Sequence, residues 1–194
     1  MGDGSLASEA SPVAGAAGQL RSRKAILPLV IGLVVLTFAT FPLGPTAFVA
    51  AFLAVVLVVL SAFDLERGIV PNRIVLPATG ILLAVRIAYF PDRALEWALA
   101  AIIAGLVLLI PRLVRSSWMG MGDVKVASLL GAALGWGVVS ALALGFICVF
   151  PAALLMIARG GAAARKATIP FAPFMALGAL ITLFGTHFAG LSPS

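Results

Sequence analysis

Residues 46–64 read TAFVAAFLAVVLVVLSAFD, an apolar run that ends directly on an aspartate, Asp64. A helix crosses the hydrocarbon of a membrane with about 20 consecutive apolar residues. The run is therefore predicted to be a transmembrane helix, with Asp64 at the edge of the hydrocarbon. A carboxyl group costs free energy in that position, so its presence there indicates a functional role.

The composition of the whole chain indicates a polytopic membrane protein. Of its 194 residues, 62% are apolar and 10% are charged, against about 45–50% and about 25% in soluble domains. The net charge of +6 reflects the basic loops that orient a membrane protein and its contact with anionic headgroups of the lipid bilayer. No segment indicates a nucleic-acid partner. The single cysteine, Cys148, excludes an internal disulfide and a multi-cysteine metal site. We expect neither a metal nor a cofactor.

Apolar segments along the chain predict an all-α fold, a membrane bundle of about seven transmembrane helices. The predicted helices are 25–41, 46–63, 74–90, 94–111, 124–135, 137–158 and 170–189. The fifth is too short to cross comfortably. Either it extends through Trp136, or it begins below the membrane surface and carries Asp123 slightly inside the bilayer.

The chain is expected to have three parts: a disordered cytoplasmic tail at 1–24, an extra N-terminal transmembrane helix at 25–45, and a six-helix membrane core at 46–190. The basic residues before the first apolar run also resemble the start of a signal peptide. The run is long and ends without a convincing small-x-small cleavage site, which favours a retained helix. The lone His187 is predicted to be a pore-facing or interfacial histidine, not a ligand.

Lys and Arg residues predict the orientation, because they concentrate in cytoplasmic loops. With the N-terminus inside, eleven lie inside: Arg21, Arg23, Lys24, Arg67, Arg73, Arg112, Arg115, Lys125, Arg159, Arg165 and Lys166. Two, Arg86 and Arg93, lie toward the outside. Asp64 and Asp123 then share the cytoplasmic face of the inner (plasma) membrane.

The second aspartate follows two glycines, in the stretch MGMGDVK at residues 119–125. Gly120 and Gly122 permit a tight turn and a close approach of a substrate strand to the main chain. Asp123 could instead cap the fifth helix, where acidic residues are favoured. The predicted position of Asp123 on the same face as Asp64 favours a functional role. Lys125, two residues later, is interpreted as a membrane-surface anchor.

A pair of aspartates at one membrane face predicts general acid–base chemistry. Two carboxyl groups a few Å apart do not both ionise easily, so one proton is held between them. The ionised partner can take a proton from water while the protonated partner donates to a carbonyl oxygen. Such a pair titrates as a unit, which leaves the individual roles undefined. This chemistry would cut a peptide bond.

Three stretches together resemble one family: Asp64 with IVPN at 69–72, GMGDVK at 120–125 and IPFAPF at 169–174. In this order the three stretches resemble the motifs of the prepilin peptidases, or type IV leader peptidases. These are membrane aspartyl proteases of the GxGD kind. The resemblance covers about 46–190. It implies that Asp64 and Asp123 are the catalytic pair and that Gly120 and Gly122 are the motif glycines.

The resemblance also implies the substrate, a pilin-like precursor with a short basic leader before an apolar helix. The leader would be removed at the cytoplasmic face, after its last residue, usually glycine. Many family members also methylate the new N-terminus and carry a cytoplasmic domain with clustered cysteines. This sequence has neither that domain nor the cysteines, so methyl transfer is not supported. The chain is similar to the short form found with Flp-type pili and archaeal preflagellin processing.

Two other function classes fit the same aspartates. A small proton- or cation-coupled transporter would use them as carriers, although transporter sites more often lie near the bilayer midplane. A non-catalytic scaffold of a pilus or secretion machine would tolerate Asp64→Asn. The oligomeric state is not predicted.

Overall fold

The computed structural model describes residues 11–114, 120–164 and 170–188, and no strand occurs among them. These residues form seven α-helices: α1 (Ser11–Thr40), α2 (Pro45–Arg67), α3 (Asn72–Tyr89), α4 (Ala94–Val114), α5 (Met121–Leu134), α6 (Val138–Ala164) and α7 (Ala172–Phe188). Short 3-10 turns at Pro91–Arg93 and Gly135–Gly137 precede α4 and α6. The all-α membrane bundle predicted from the sequence is confirmed.

The predicted number of membrane crossings, seven, is wrong, because the described part of the chain contains six apolar helical segments. Four are long and apolar enough to cross a membrane: Pro45–Arg67, Asn72–Tyr89, Pro91–Val114 and Met121–Pro151. Two are shorter, Ile26–Thr40 and Ala172–Gly185. The count falls because only the 3-10 turn at Gly135–Gly137 separates α5 from α6, so the two form one apolar stretch. Helix α5 has 14 residues, about 21 Å, and is too short to cross about 30 Å of hydrocarbon alone.

The first helix begins at Ser11 instead of residue 25, so part of the predicted disordered tail is helical. Pro12 lies in the first turn of this helix, a position that proline favours. Residues 1–10 of that tail lie outside the described residues. So do the basic residues Arg115, Arg165 and Lys166, the end of the seventh predicted helix at Ala189 and the side chain of His187.

Helix α5 lies in the core of the bundle, and its buried side chains are small or aliphatic: Val124, Val126, Ala127, Leu129, Leu130, Ala132 and Ala133. Gly131 lies against the backbone of Ala100 and Ala101 in α4, where a Cβ would collide. Small residues allow membrane helices to approach this closely. The position of α5, including its first turn, is therefore set by close contact with α4.

The turn between α2 and α3 brings two helix ends together. Gly68 ends α2 in the left-handed conformation, with φ 62°, and its N–H donates to the carbonyl of Asp64. Glycine adopts this conformation without steric cost. Pro71, with extended backbone, then precedes the first residue of α3. The last turn of α2 thus lies beside the start of α3.

A buried arginine joins three helices at the opposite end of α3. Arg86 is only 8% exposed, and its Nη2 donates a 2.8 Å hydrogen bond to the carbonyl of Ala133 in α5. Its guanidinium lies 4.2 Å from the centre of the Trp97 ring in α4. The sequence analysis placed Arg86 near the outer face but did not predict its burial.

Candidate active site

Both aspartates line one cavity of about 720 Å³ at one end of the bundle. Its walls come from the last turn of α2, the turn that follows, the start of α3, the first turn of α5 and the residues before α7. The lining residues are Asp64, Leu65, Gly68, Ile69, Val70, Pro71, Asn72, Gly120, Met121, Gly122, Asp123, Lys125, Pro170 and Phe171. All three stretches singled out in the sequence meet here.

Asp64 lies in the last turn of α2 and is 8% exposed. Its Oδ2 accepts a 3.0 Å hydrogen bond from the backbone N–H of Ala172, the first residue of α7. The first N–H groups of a helix have no partner within that helix and attract negative charge. The start of α7 therefore holds the Asp64 carboxyl in place.

Asp123 lies in the first turn of α5 and caps that helix. Its Oδ2 accepts a 3.2 Å hydrogen bond from the N–H of Gly120, while its own N–H donates to the Gly120 carbonyl at 3.2 Å. Asp123 therefore caps α5, as one of the two interpretations predicted. The same residue also lines the cavity, together with Asp64.

Each carboxyl group is held through a single oxygen. For both Asp64 and Asp123 the described contacts involve only Oδ2. The other oxygen of each, Oδ1, accepts no hydrogen bond from the described residues. Such a pair has the capacity to exchange protons with a water molecule or a substrate in the cavity.

Gly122 is required by packing as well as by its position in the motif. A Cβ at Gly122 would lie 2.7 Å from Cγ2 and 2.8 Å from Cβ of Val70, in the turn after α2. A Cβ at Gly120 would lie 3.1 Å from Oδ2 of Asp123. The glycines thus let the start of α5 lie against the turn that follows Asp64. The predicted approach of a substrate strand to these glycines stays a prediction.

Lys125 makes a contact that the sequence analysis did not predict, and its interpretation as a membrane-surface anchor stays a prediction. Its Nζ donates a hydrogen bond to Oδ1 of Asn72, the first residue of α3. Both residues line the cavity with the aspartates. Asn72 lies 53 positions earlier in the chain, so no local pattern indicated this contact.

The sequence analysis missed two further contributors. Ala172 acts through its backbone, which no side-chain pattern reveals, and Val70 acts as the packing partner of Gly122. Across 11–114, 120–164 and 170–188 no group of three or more His, Cys, Asp or Glu side chains could hold a metal ion.

Comparison with known proteins places the chain in a family. The sequence model of the type IV leader peptidase family matches residues 51–191, a range that contains both aspartates and both motif glycines. Two curated proteins named prepilin leader peptidase/N-methyltransferase, from Burkholderia pseudomallei strains 1026b and K96243, are each 34% identical over 155 residues. The match covers 75% of this chain and 50% of each relative, so the chain spans about half the length of these relatives. No solved structure matches. The chain belongs to the type IV leader peptidase family.

Proposed function

We propose that this chain is a membrane aspartyl endopeptidase that removes the short basic leader from pilin-like precursors. The observation that carries the proposal is the meeting of Asp64 and Asp123 in one cavity built from the three family motifs. The proposal concerns peptide cleavage alone.

The first step adds water to the scissile carbonyl. The ionised carboxylate takes a proton from water, and the water oxygen bonds to the carbonyl carbon. The protonated carboxyl donates its proton to the carbonyl oxygen at the same time. The product is a neutral tetrahedral intermediate, and the two carboxyl groups have exchanged their protonation states.

The second step breaks the carbon–nitrogen bond. The newly protonated carboxyl gives its proton to the leaving amine, and the other carboxylate takes a proton from a hydroxyl of the intermediate. The products are a leader with a free carboxyl and a precursor with a new amino terminus. The dyad again holds one proton, as at the start.

Backbone hydrogen bonds prepare both carboxyls for this cycle. The N–H of Ala172 holds Oδ2 of Asp64, and the N–H of Gly120 holds Oδ2 of Asp123. Each aspartate therefore keeps one oxygen for proton transfer without losing its orientation. Pre-positioned groups of this kind lower the reorganisation that the reaction requires.

The distribution of basic residues supports a cytoplasmic active site in the inner membrane. Arg67, Arg73 and Lys125 lie at the cavity end of the bundle, whereas Arg93 lies at the other end of α3, in the 3-10 turn before α4. Positively charged loops stay on the cytoplasmic side. The leader, which is itself basic, would then lie on the cytoplasmic side, next to the start of its precursor's apolar helix.

The proposal is tested by co-expression with pilin-like precursors from the same genome, with cleavage followed by the precursor's size on a gel. We expect Asp64→Asn and Asp123→Asn each to abolish cleavage while the protein remains in the membrane. The matched control is Asp92→Asn, because Asp92 is exposed in the turn at the opposite end. Normal cleavage by either single Asn variant at the dyad would refute the proposal.

A further inference from the structure

A second cavity, of about 430 Å³, lies between α1, α2 and α7. Its lining is apolar apart from Ser61, and it includes Leu29 of α1, Val58 and Leu65 of α2, and Leu177 of α7. We call this cavity the α1 groove. It contains neither aspartate, and the chemistry described above makes no use of it.

The α1 groove adjoins the catalytic cavity. Leu65 lines both cavities, and it directly follows Asp64. On the other wall, Pro173 lines the groove and directly follows Ala172, whose N–H holds the Asp64 carboxyl. The same two helix ends therefore bound both cavities.

The groove runs along the helices, away from the aspartates. Val58 and Leu65 are seven residues apart on α2, which corresponds to about 10 Å along a helix axis. Pro173 and Leu180 have the same separation on α7. An apolar groove that extends along helices in this way suits an apolar helix laid along it.

Helix α1 packs against α2 toward its C-terminus and lines the groove nearer the catalytic end. Toward its C-terminus α1 is anchored: Thr37 is 0% exposed, and the Phe38 ring packs edge-on against Phe48 of α2 at 5.8 Å. Toward the catalytic end Leu29 is 54% exposed, although it lines the groove. The groove therefore lies beside the part of α1 that precedes these anchoring contacts.

One polar atom in the groove lacks a partner. Ser61 Oγ is buried, and no described residue forms a hydrogen bond with it. Serine hydroxyls in membrane bundles commonly bond to a neighbouring helix. The rest of the lining is apolar, so the groove favours an apolar occupant.

We infer that the α1 groove binds the first turns of the precursor's apolar helix while the leader junction lies at the dyad. The inference rests on the proposed function, which places the scissile bond immediately before that helix. Because the junction and the helix are adjacent in one chain, the helix-binding surface must begin within a few residues of the aspartates. The α1 groove meets this requirement through Leu65, and it makes α1 part of the substrate-binding surface.

Cysteine crosslinking tests the inference. In a Cys148→Ala background, which removes the chain's single cysteine, Leu29→Cys and Leu177→Cys introduce thiols that line the groove. The control is Ile102→Cys on α4, which is 57% exposed and lies outside the groove. Asp123→Asn is added to retain the precursor, and the precursor carries one cysteine in the first two turns of its apolar helix. The precursor is one that the wild-type chain cleaves.

We expect a disulfide-linked adduct with Leu29→Cys and Leu177→Cys and at least tenfold less with Ile102→Cys. Equal adduct at all three positions, or none in the groove while the wild type still cleaves the precursor, would overturn the inference and leave the proposed function standing. Labelling of the groove thiols by a thiol-reactive lipid, undiminished by precursor, would show that lipid is the occupant and would also overturn it. Absence of wild-type cleavage of every precursor would instead remove the proposed function.

Discussion

The backbone N–H of Ala172 donates a 3.0 Å hydrogen bond to Oδ2 of Asp64, which lies 108 positions earlier in the chain. This contact ties the start of α7 to the last turn of α2, so the third family motif acts on the first aspartate through its main chain. We therefore expect the contact to matter for activity without any catalytic side chain at position 172.

Ala172→Pro removes the backbone N–H that donates to Asp64, and proline is tolerated in the first turn of a helix. We expect cleavage to fall by about 10- to 100-fold, because a hydrogen bond to a charged group contributes about 1.5–3 kcal/mol. Initial rates on a cleaved precursor measure the effect. Ala172→Ser keeps the N–H and is the control. Equal rates for the two variants would contradict the role of the hydrogen bond.

Gly122→Ala is expected to reduce cleavage by about tenfold or more, because its Cβ would lie 2.7 Å from Cγ2 of Val70 and the start of α5 must shift to relieve the overlap. The rate of leader removal in isolated membranes is the measurement. Gly80→Ala is the matched control, since a Cβ at Gly80 meets nothing within 4 Å.

The overlap also predicts a rescue. Val70→Gly removes both atoms that a Cβ at Gly122 would strike, so the double variant should cleave faster than Gly122→Ala alone. If the double variant is as slow as the single one, Gly122 has a role other than packing against Val70.

Lys125 and Asn72 are expected to act as one unit, because the Lys125 ammonium donates to the Asn72 side chain in the cavity wall. Lys125→Met should slow cleavage by about tenfold, the equivalent of about 1.4 kcal/mol. Asn72→Ala, added to Lys125→Met, should cause little further loss, because residues in contact are not additive. Strictly additive losses in this double-mutant cycle would show that the two residues act separately.

Gly68 is expected to tolerate only residues that adopt positive φ, since it ends α2 at φ 62°. Gly68→Val should lower the free energy of unfolding by about 1–2 kcal/mol, the cost of a left-handed residue with a branched side chain. Gly68→Asn should cost less. Thermal midpoints in detergent rank the variants, and an equal loss for Asn and Val would point to something other than backbone conformation.

Arg86→Met is expected to lower the free energy of unfolding by about 2 kcal/mol, because it leaves the buried carbonyl of Ala133 without its donor and removes the contact with Trp97. Arg86→Lys should rescue only in part, since an ammonium lacks the planar face of a guanidinium. Midpoints of denaturation in detergent provide the measurement. Arg93→Gln, which breaks the partly exposed ion pair with Glu96, is the control and should cost under about 1 kcal/mol.

Structural features that depend on residues close in sequence were largely predictable. The run before Asp64 indicated a membrane helix because burial in hydrocarbon needs an unbroken apolar segment. The turn at Gly68 was predictable, because such turns depend on a few neighbouring backbone angles. The capping geometry of Asp123 was anticipated for the same reason. The helix count was not, because only the short 3-10 turn at Gly135–Gly137 separates α5 from α6 within one apolar stretch.

Contacts between distant residues were decided by the tertiary structure. Composition and hydrophobic pattern determined that this chain is a membrane helix bundle with two aspartates at helix ends, because those properties depend on solvation along the chain. The donor of Ala172, the packing of Val70 on Gly122, the reach of Lys125 to Asn72 and the burial of Arg86 depend on how the helices rotate and approach one another. Close helix packing sets those geometries, and no periodicity within a single helix encodes them.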